Sequence, residues 1–167
     1  MYRKIHRIGA AAVFLISGGL FYSTMAPTVS FWDCGEFIAC ASTLGIPHPP
    51  GSPLYLLIGR IFTLLAFSGD PAVPMNFLSV LTSAVSVMLV YLITARLLRL
   101  ALLDEGTPRV ACSEAVAEIP TVAGATVASL MLAFSSTFWF NAVEAEVYGF
   151  SIMLMVLVLW LGLVWMA

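Results

Sequence analysis

Four long apolar stretches without any Asp, Glu, Lys or Arg divide this chain. Three of them, 8–32, 71–95 and 119–143, are 25 residues long, and the fourth covers 147–167. About 20 consecutive apolar residues are enough for a helix to cross a bilayer. The pattern therefore predicts an all-α integral membrane protein with four transmembrane helices, over 8–24, 74–99, 119–140 and 147–167.

The first apolar stretch has two interpretations. It follows the basic residues Arg3, Lys4 and Arg7 and ends near the small residues of 23–26, which is also the arrangement of a cleavable signal peptide. We favour a retained span. In both cases the loop that follows it lies outside the cytoplasm.

The first loop, 25–70, is predicted to carry two short helices, 33–44 and 53–67. Between them IPHPPGSP interrupts the backbone, because proline lacks an amide hydrogen and forces the preceding residue to be extended. The apolar part of the second helix, Leu54–Phe67, would be about 21 Å long, against a bilayer core of about 30 Å. We therefore predict that it lies at the interface or re-enters, without crossing.

The distribution of basic residues predicts the orientation. If Leu54–Phe67 does not cross, every Lys and Arg except Arg60 falls on the cytoplasmic side, together with the N-terminus and the polar connector 100–118. If it crosses, the three arginines of 96–109 move outside and the bias disappears. Basic residues concentrate in cytoplasmic loops, so both ends of the four-span chain are expected in the cytoplasm.

The composition supports this class of protein. Hydrophobic residues make up 61% of the chain and charged residues 10%, with a mean hydropathy of +1.03, whereas soluble domains carry about 25% charged residues. No basic run suggests nucleic acid as a partner. Cys34 and Cys40 are expected to be free thiols, because six residues apart on a helix they point in different directions. The apolar run up to Ala167 suggests the N-terminal part of a longer protein.

Polar residues cluster in the first loop, where Asp33, Glu36 and His48 lie between uncharged segments. The sequence DCGE matches a capping box, in which an acid caps a helix and a Glu three residues later reaches back. Alternatively, a partly desolvated carboxylate has a raised pKa and can act as a base. Asp33 and Glu36 are therefore the catalytic candidates. His48 is either a polar residue of a rigid turn or a hydrogen-bond donor to a phosphate or sugar.

Three further charged residues have both structural and functional interpretations. Arg60 either extends its head group to the interface or binds a lipid phosphate, which a guanidinium fits well. Counting spans places Glu144 and Glu146 on the same side as Asp33, although one of them could simply mark a helix end. Carboxylates suit hard divalent ions, but no ligand set is complete. We assign no metal ligand and leave a divalent metal open.

Three segments together resemble a known family: PTVSFWDCGEFIACASTLGIPHPPGSPLYLLIGRIF, PMNFLSVLTSAVSVMLVYLITARLL and FWFNAVEAEVY. They are similar to bacterial multi-spanning proteins of unknown function whose animal relatives are transmembrane protein O-mannosyltransferases. The layout also resembles the GT-C glycosyltransferase superfamily, which uses lipid-phosphate-linked sugars and carries an essential acid in its first exoplasmic loop. The resemblance covers nearly the whole chain.

The resemblance implies roles for individual residues. Asp33 matches the acid that begins the first loop and Glu36 its companion, which makes them the catalytic pair. Substrate-binding roles follow for residues of the loop signature, the second acidic patch and the neighbouring arginine: His48, Tyr55, Arg60, Glu144, Glu146 and Tyr148.

The implied function is transfer of a sugar such as mannose from a polyprenyl-phosphate donor to a hydroxyl of a protein or glycan acceptor, on the exoplasmic side. A bacterial protein of this kind would lie in the inner membrane, in contact with membrane lipid. Enzymes of the superfamily have more spans than this chain carries. Two other classes stay open: a non-catalytic membrane scaffold, and a transporter subunit. The transporter is disfavoured because the acids lie at one surface and not within the spans.

Overall fold

The computed structural model describes residues 2–49, 51–65, 69–103 and 114–166. Within these ranges every regular element is an α-helix, which confirms the all-α prediction. The helices are α1 (Tyr2–Ser23), α2 (Cys34–Thr43), α3 (Pro53–Leu65), α4 (Ala72–Leu103), α5 (Glu114–Ala133), α6 (Ser136–Ala142) and α7 (Val147–Trp165).

Helix α4 is the centre of the bundle and packs against α1, α5 and α7. Its buried face includes small polar side chains, which allow neighbouring helices in a membrane to approach closely. Two of their hydroxyls are satisfied within the helix: Thr82 donates to the carbonyl of Leu78, and Ser86 donates to the carbonyl of Thr82, each at 2.9 Å. The core of the bundle therefore contains polar atoms without leaving them unpaired at these positions.

The first helix belongs to this core. Its residues Ala10, Val13 and Phe21 are buried, and the ring of Phe21 meets Trp139 edge to face with centroids 5.2 Å apart. The retained span over 8–24 stays a prediction.

Gly149 marks a close approach between α7 and α4. A β-carbon built at this position would lie 2.5 Å from the hydroxyl oxygen of Ser83. Any other residue would therefore push the two helices apart or displace the serine.

Among the described residues, three helical segments are long and apolar enough to cross a membrane: Lys4–Ser23, Ala72–Leu102 and Val147–Trp165. A fourth span exists if α5 and α6 are counted as one bent unit, whose two parts meet at 67°. Helix α3 has 13 residues and is about 20 Å long, less than a bilayer core requires. The chain is thus an all-α integral membrane protein.

The third apolar stretch differs from the single helix expected over 119–140. Helix α5 ends at Ala133, and α6 begins at Ser136. Between them Ser135 has an extended backbone, and its hydroxyl accepts a hydrogen bond from the amide of Phe138 at 3.4 Å. Serine is a favourable N-cap residue. It therefore starts a new helix inside an apolar stretch whose hydropathy shows no interruption.

The connector expected over 100–118 also differs. Helix α4 continues to Leu103 and α5 has begun by Glu114, while 104–113 lie outside the described residues. Glu118, expected in a solvated connector, lies on α5 with its Oε1 3.6 Å from Nε2 of His6 on α1. Charged residues such as glutamate are good helix formers. The point where hydropathy falls along the sequence therefore marks the membrane boundary and not the end of the helix.

Candidate functional site

The candidate site lies where the first loop meets the turn between α6 and α7. The amide of Ala26 donates to the carbonyl of Val143 at 2.8 Å and joins the two segments directly. From α4, the side-chain amide of Asn76 donates to the carbonyls of Ala26 and Thr28 at 2.8 and 3.0 Å. These bonds hold the segment that leads to Asp33 against the bundle.

Asp33 stands directly before α2 but does not cap it. Its backbone is helical, with φ −76° and ψ −7°, and its side chain makes no capping hydrogen bond. Glu36 does not reach back either, because its carboxylate binds His48. The capping box expected from DCGE is therefore wrong. Two hydrogen bonds to a charged acceptor are stronger than the single amide bond that the box would provide.

Glu36 binds His48 through both carboxylate oxygens. Oε1 accepts from the His48 backbone amide at 2.7 Å, and Oε2 lies 2.5 Å from the ring Nδ1. A turn presents the histidine, because the amide of Gly51 donates to the carbonyl of His48 at 3.0 Å. Gly51 has a φ of 87°, which a residue without a side chain adopts most easily.

Asp33 completes an exposed group with these two residues. Its Oδ2 lies 4.0 Å from Nε2 of His48, and one ligand atom from each of Asp33, Glu36 and His48 lies within 4.8 Å of the other two. The hydrogen bond that the His48 ring donates to Glu36 raises the pKa of His48, and the same bond lowers the pKa of Glu36. Two carboxylates and one imidazole in contact with solvent can accept and transfer protons. We call these three residues the exposed triad.

A second group lies buried beside the exposed triad. Cys34, Glu144 and Glu146 are 0%, 3% and 5% exposed, and one ligand atom from each lies within 4.8 Å of the other two. The thiol of Cys34 donates to Oε1 of Glu146 at 3.6 Å. On α4, the hydroxyl of Ser79 both accepts from the Glu146 amide and donates to the Glu146 carbonyl, each at 3.3 Å. We call Cys34, Glu144 and Glu146 the buried trio.

Burial dominates the electrostatics of this trio. It raises the pKa of Glu146, and the negative charges of Asp33 and Glu144 raise it further, while the Cys34 hydrogen bond lowers it. Burial also raises the pKa of the Cys34 thiol to about 12. Because Asp33 acts on Glu146 and directly precedes Cys34, the two groups form one continuous acidic region.

Tyr55 lies beneath this region and is 1% exposed. Its ring packs edge to face on Phe37 of α2, with centroids 5.6 Å apart, and meets Phe150 of α7 at 5.9 Å. Burial raises the pKa of its hydroxyl. Tyr55 is one of the six residues that the sequence suggests for substrate binding. In the structure it is a core residue that supports α2 and not a surface group.

Arg60 lies on α3 and Tyr148 on α7. One guanidinium nitrogen of Arg60 donates to the carbonyl of Ser42, one residue before the end of α2, and ties α3 to that helix. Tyr148 is the second residue of α7 and is exposed. The structure thus brings Asp33, Glu36 and His48 together at the surface, while Arg60 acts first as a helix contact.

The sequence did not indicate Cys34 or Ser79 as parts of the site. Both prove central, because Cys34 touches Glu146 and Ser79 holds its backbone. In the sequence, the position of Cys34 directly after Asp33 could have indicated that this cysteine belongs to the site. The free thiols expected at Cys34 and Cys40 are confirmed.

Fold and site together define an integral membrane protein that presents an acidic, histidine-containing loop region at one end of a helical bundle. Residues 33–167 match the family described as "Protein O-mannosyl-transferase TMEM260 N-terminal domain". Since this match covers most of the chain, the chain belongs to that family, as the resemblance predicted.

Two curated relatives carry the same family name. The chain is 34% identical over 92 residues to "Protein O-mannosyl-transferase tmem260" of Dictyostelium discoideum, covering 53% of this chain and 11% of that protein. It is 35% identical over 89 residues to "Protein O-mannosyl-transferase TMEM260" of Mus musculus, covering 53% of this chain and 13% of that protein. The chain therefore spans a small part of these relatives. No solved structure matches it significantly.

Proposed function

We propose that this chain contributes the catalytic loop of a membrane glycosyltransferase. The enzyme moves a sugar, which we take to be mannose, from a polyprenyl-phosphate donor to a hydroxyl of a protein or glycan acceptor on the exoplasmic side. The observation that carries the proposal is the exposed triad, whose ligand atoms lie within 4.8 Å of one another. The names of the relatives support the reaction class.

Asp33 is the base in this proposal. Its side chain makes no capping bond and is 53% exposed, so an acceptor hydroxyl can reach it. Asp33 takes the hydroxyl proton as the oxygen forms a bond to the anomeric carbon. The bond from that carbon to the phosphate oxygen breaks, and its electron pair leaves with the polyprenyl phosphate.

Glu36 and His48 support this step. Glu36 fixes His48 through two hydrogen bonds, one to its backbone amide and one to the ring Nδ1, which leaves Nε2 of His48 facing Asp33 at 4.0 Å. In its protonated form His48 donates a hydrogen bond from Nε2 to the phosphate or the sugar, and the proton collected by Asp33 is released to solvent after transfer. Positive groups aimed at developing negative charge lower the barrier of such reactions.

The remaining site residues bind or support the substrates. One guanidinium nitrogen of Arg60 is engaged with Ser42, and the other N–H groups of its donor fork can bind the leaving phosphate. Tyr148 is exposed beside the acidic region and contacts the acceptor or sugar. Glu144 and Glu146 support the substrate site from its buried side, and Tyr55 positions α2 from below.

The proposed location is the inner membrane of a bacterium, with the N-terminus in the cytoplasm and the exposed triad outside. Exposed aromatic residues of the first loop suit this location, since Phe31 and Trp32 are 84% and 83% exposed. Tryptophan and tyrosine side chains concentrate at membrane interfaces, which suits Trp32. A loop anchored there would hold Asp33 at the depth of a lipid phosphate.

A donor comparison tests this function. Membranes that contain the protein are given radiolabelled polyprenyl-phosphate mannose or the corresponding nucleotide sugar, with a protein acceptor. We expect label to reach the acceptor from the lipid donor alone, on the exoplasmic side of oriented vesicles. Transfer from the nucleotide sugar alone would contradict the donor class, and no transfer from either donor would favour a non-catalytic scaffold.

A further inference from the structure

The buried trio carries more negative charge than its surroundings compensate. Glu144 and Glu146 are 3% and 5% exposed, and no basic side chain in the described part of the chain forms an ion pair with either of them. An isolated carboxylate is costly to bury, so it must become neutral, pair with a cation or bind a metal. Two such groups side by side make the requirement stronger.

Unused ligand atoms remain in this cluster. Oε1 of Glu144 and Oε2 of Glu146 have no hydrogen-bond partner, although both atoms are buried. The third member, Cys34, is fully buried and offers its sulfur to Glu146 alone. Backbone bonds fix the glutamates in place, because the Glu146 amide donates to both the Glu144 carbonyl and the Ser79 hydroxyl.

We propose that Cys34, Glu144 and Glu146 form a binding site for a divalent transition-metal ion, with Zn²⁺ as the ion of best fit. The ligand atoms lie within 4.8 Å of one another. Zinc binds sulfur at about 2.3 Å and carboxylate oxygen at about 2.0–2.2 Å, so two ligands of a tetrahedral site are about 3.5 Å apart. Small side-chain movements are sufficient to close the site.

The ligand types select the ion. A thiolate favours zinc and other soft or borderline ions, whereas Mg²⁺ and Ca²⁺ require a shell of oxygen ligands and waters. Binding would remove the thiol proton and offset most of the charge of two carboxylates and one thiolate. Three protein ligands leave one position of a tetrahedral zinc site open.

Such an ion would link the two segments that build the candidate site. Cys34 begins α2 in the first loop, and the two glutamates lie in the turn between α6 and α7. Because the neighbouring residue Asp33 belongs to the exposed triad, the ion would fix the triad relative to the bundle. The metal site stands independently of the proposed transfer reaction, since its evidence is the buried trio alone.

Metal binding to the purified protein in detergent provides the test. The protein carries Cys112→Ser, so that Cys34 and Cys40 are its remaining thiols. It is stripped with a chelator and titrated with Zn²⁺ and with Co²⁺, whose thiolate complexes absorb strongly in the near ultraviolet. We expect one equivalent of either ion per chain and a thiolate–cobalt absorption band.

Two variants separate the site from adventitious binding. Cys34→Ser should lose the thiolate–cobalt band and bind Zn²⁺ at least about tenfold more weakly, since even changes to partners of metal ligands cost about 10–100-fold in affinity. Cys40→Ser, on the same helix and outside the buried trio, should bind like the unaltered protein. If Cys34→Ser does not fold, Glu144→Gln takes its place with the same expected loss of affinity.

The proposal fails if the protein binds neither ion. It also fails if cobalt binds without a thiolate band, or if the Cys40→Ser variant loses the band while Cys34→Ser keeps it. If neither ion binds, the buried glutamates would be neutralised by protons and not by a metal. None of these outcomes depends on sugar transfer, so the site and the reaction can be judged separately.

Discussion

Glu36 and His48 are joined twice, by a ring contact of 2.5 Å to Nδ1 and by a backbone hydrogen bond of 2.7 Å. This pair replaces the capping box that the sequence around Asp33 indicates. It occupies both carboxylate oxygens of Glu36, whereas the side chain of Asp33 is 53% exposed. The roles that we propose for the two carboxylates rest on this difference.

Replacing Glu36 by glutamine tests the contact. The amide oxygen can still accept from the His48 backbone, but the negative charge is lost, so the raised pKa of His48 should fall toward its ordinary value of about 6.5. Nuclear magnetic resonance of labelled histidine measures this directly, with the two histidines assigned from a His48→Asn spectrum. An unchanged pKa of His48 in the Glu36→Gln protein would refute the pairing.

The same pair should give a defined pH dependence of stability. Because the pKa of His48 is raised, its contribution is full below about pH 6.5 and is lost as pH rises through the folded value. Because the pKa of Glu36 is lowered, its contribution is full above about pH 4.5 and is lost as pH falls through the folded value. The difference in melting temperature between the unaltered protein and Glu36→Gln should therefore peak within this window.

The close approach of α7 to α4 predicts a position-specific effect of alanine. Gly149→Ala places a β-carbon 2.5 Å from the Ser83 hydroxyl oxygen, and overpacking of this kind costs about 1–3 kcal/mol. Gly162 lies on the same helix with no atom within 4 Å of such a carbon, so Gly162→Ala should be neutral or slightly stabilising. Thermal unfolding in detergent micelles measures both. Equal melting temperatures for the two variants would contradict the helix packing.

Much of the fold follows from the pattern of apolar residues. The points where helices are interrupted depend on local hydrogen bonds. Uncharged runs are long enough to reveal the spans α1, α4 and α7, and the apolar run of α3 is too short for a further span. The bend at Ser135 leaves no such signal, because one serine hydroxyl capping α6 changes hydropathy very little. Such a cap can be recognised only in the structure, where the chain bends between α5 and α6.

The sequence predicts which residues form the site better than it predicts which of these residues contact each other. Counting spans brings Glu144 and Glu146 to the side of Asp33, and the structure has them in one region. The partners of Glu36 and Cys34 could not be read from the sequence, since they lie 12 and 112 residues away. Tyr55, which the sequence suggests for substrate binding, lies in the core, because aromatic packing between α2 and α7 decides its position.

The short helix α3 predicts a topology that labelling can test. If α3 does not cross, a cysteine between α3 and α4 lies on the same side as the first loop. We expect Ser68→Cys and Ile46→Cys, the latter at a position 91% exposed, both to react with an impermeant reagent from outside the cell. Cys40 and Cys112 are replaced by serine, and the buried Cys34 remains. Reaction of Ser68→Cys from the cytoplasmic side alone would show that α3 crosses.

The central claim is that Asp33 is the base of a sugar transfer reaction. Asparagine keeps the shape of this side chain but cannot accept a proton at neutral pH. Loss of a general base reduces rates by about 10²–10⁴-fold. Asp70→Asn is the matched control in the same loop, because an amide can preserve the bonds of Asp70 to the Ala72 amide and the Thr28 hydroxyl.

The most direct measurement is therefore the rate of mannose transfer from polyprenyl-phosphate mannose in membranes with matched amounts of the unaltered protein, Asp33→Asn and Asp70→Asn. We predict a loss of about 10²–10⁴-fold for Asp33→Asn and an unchanged rate for Asp70→Asn. Near-normal transfer by Asp33→Asn would contradict the account and return Asp33 to a structural role.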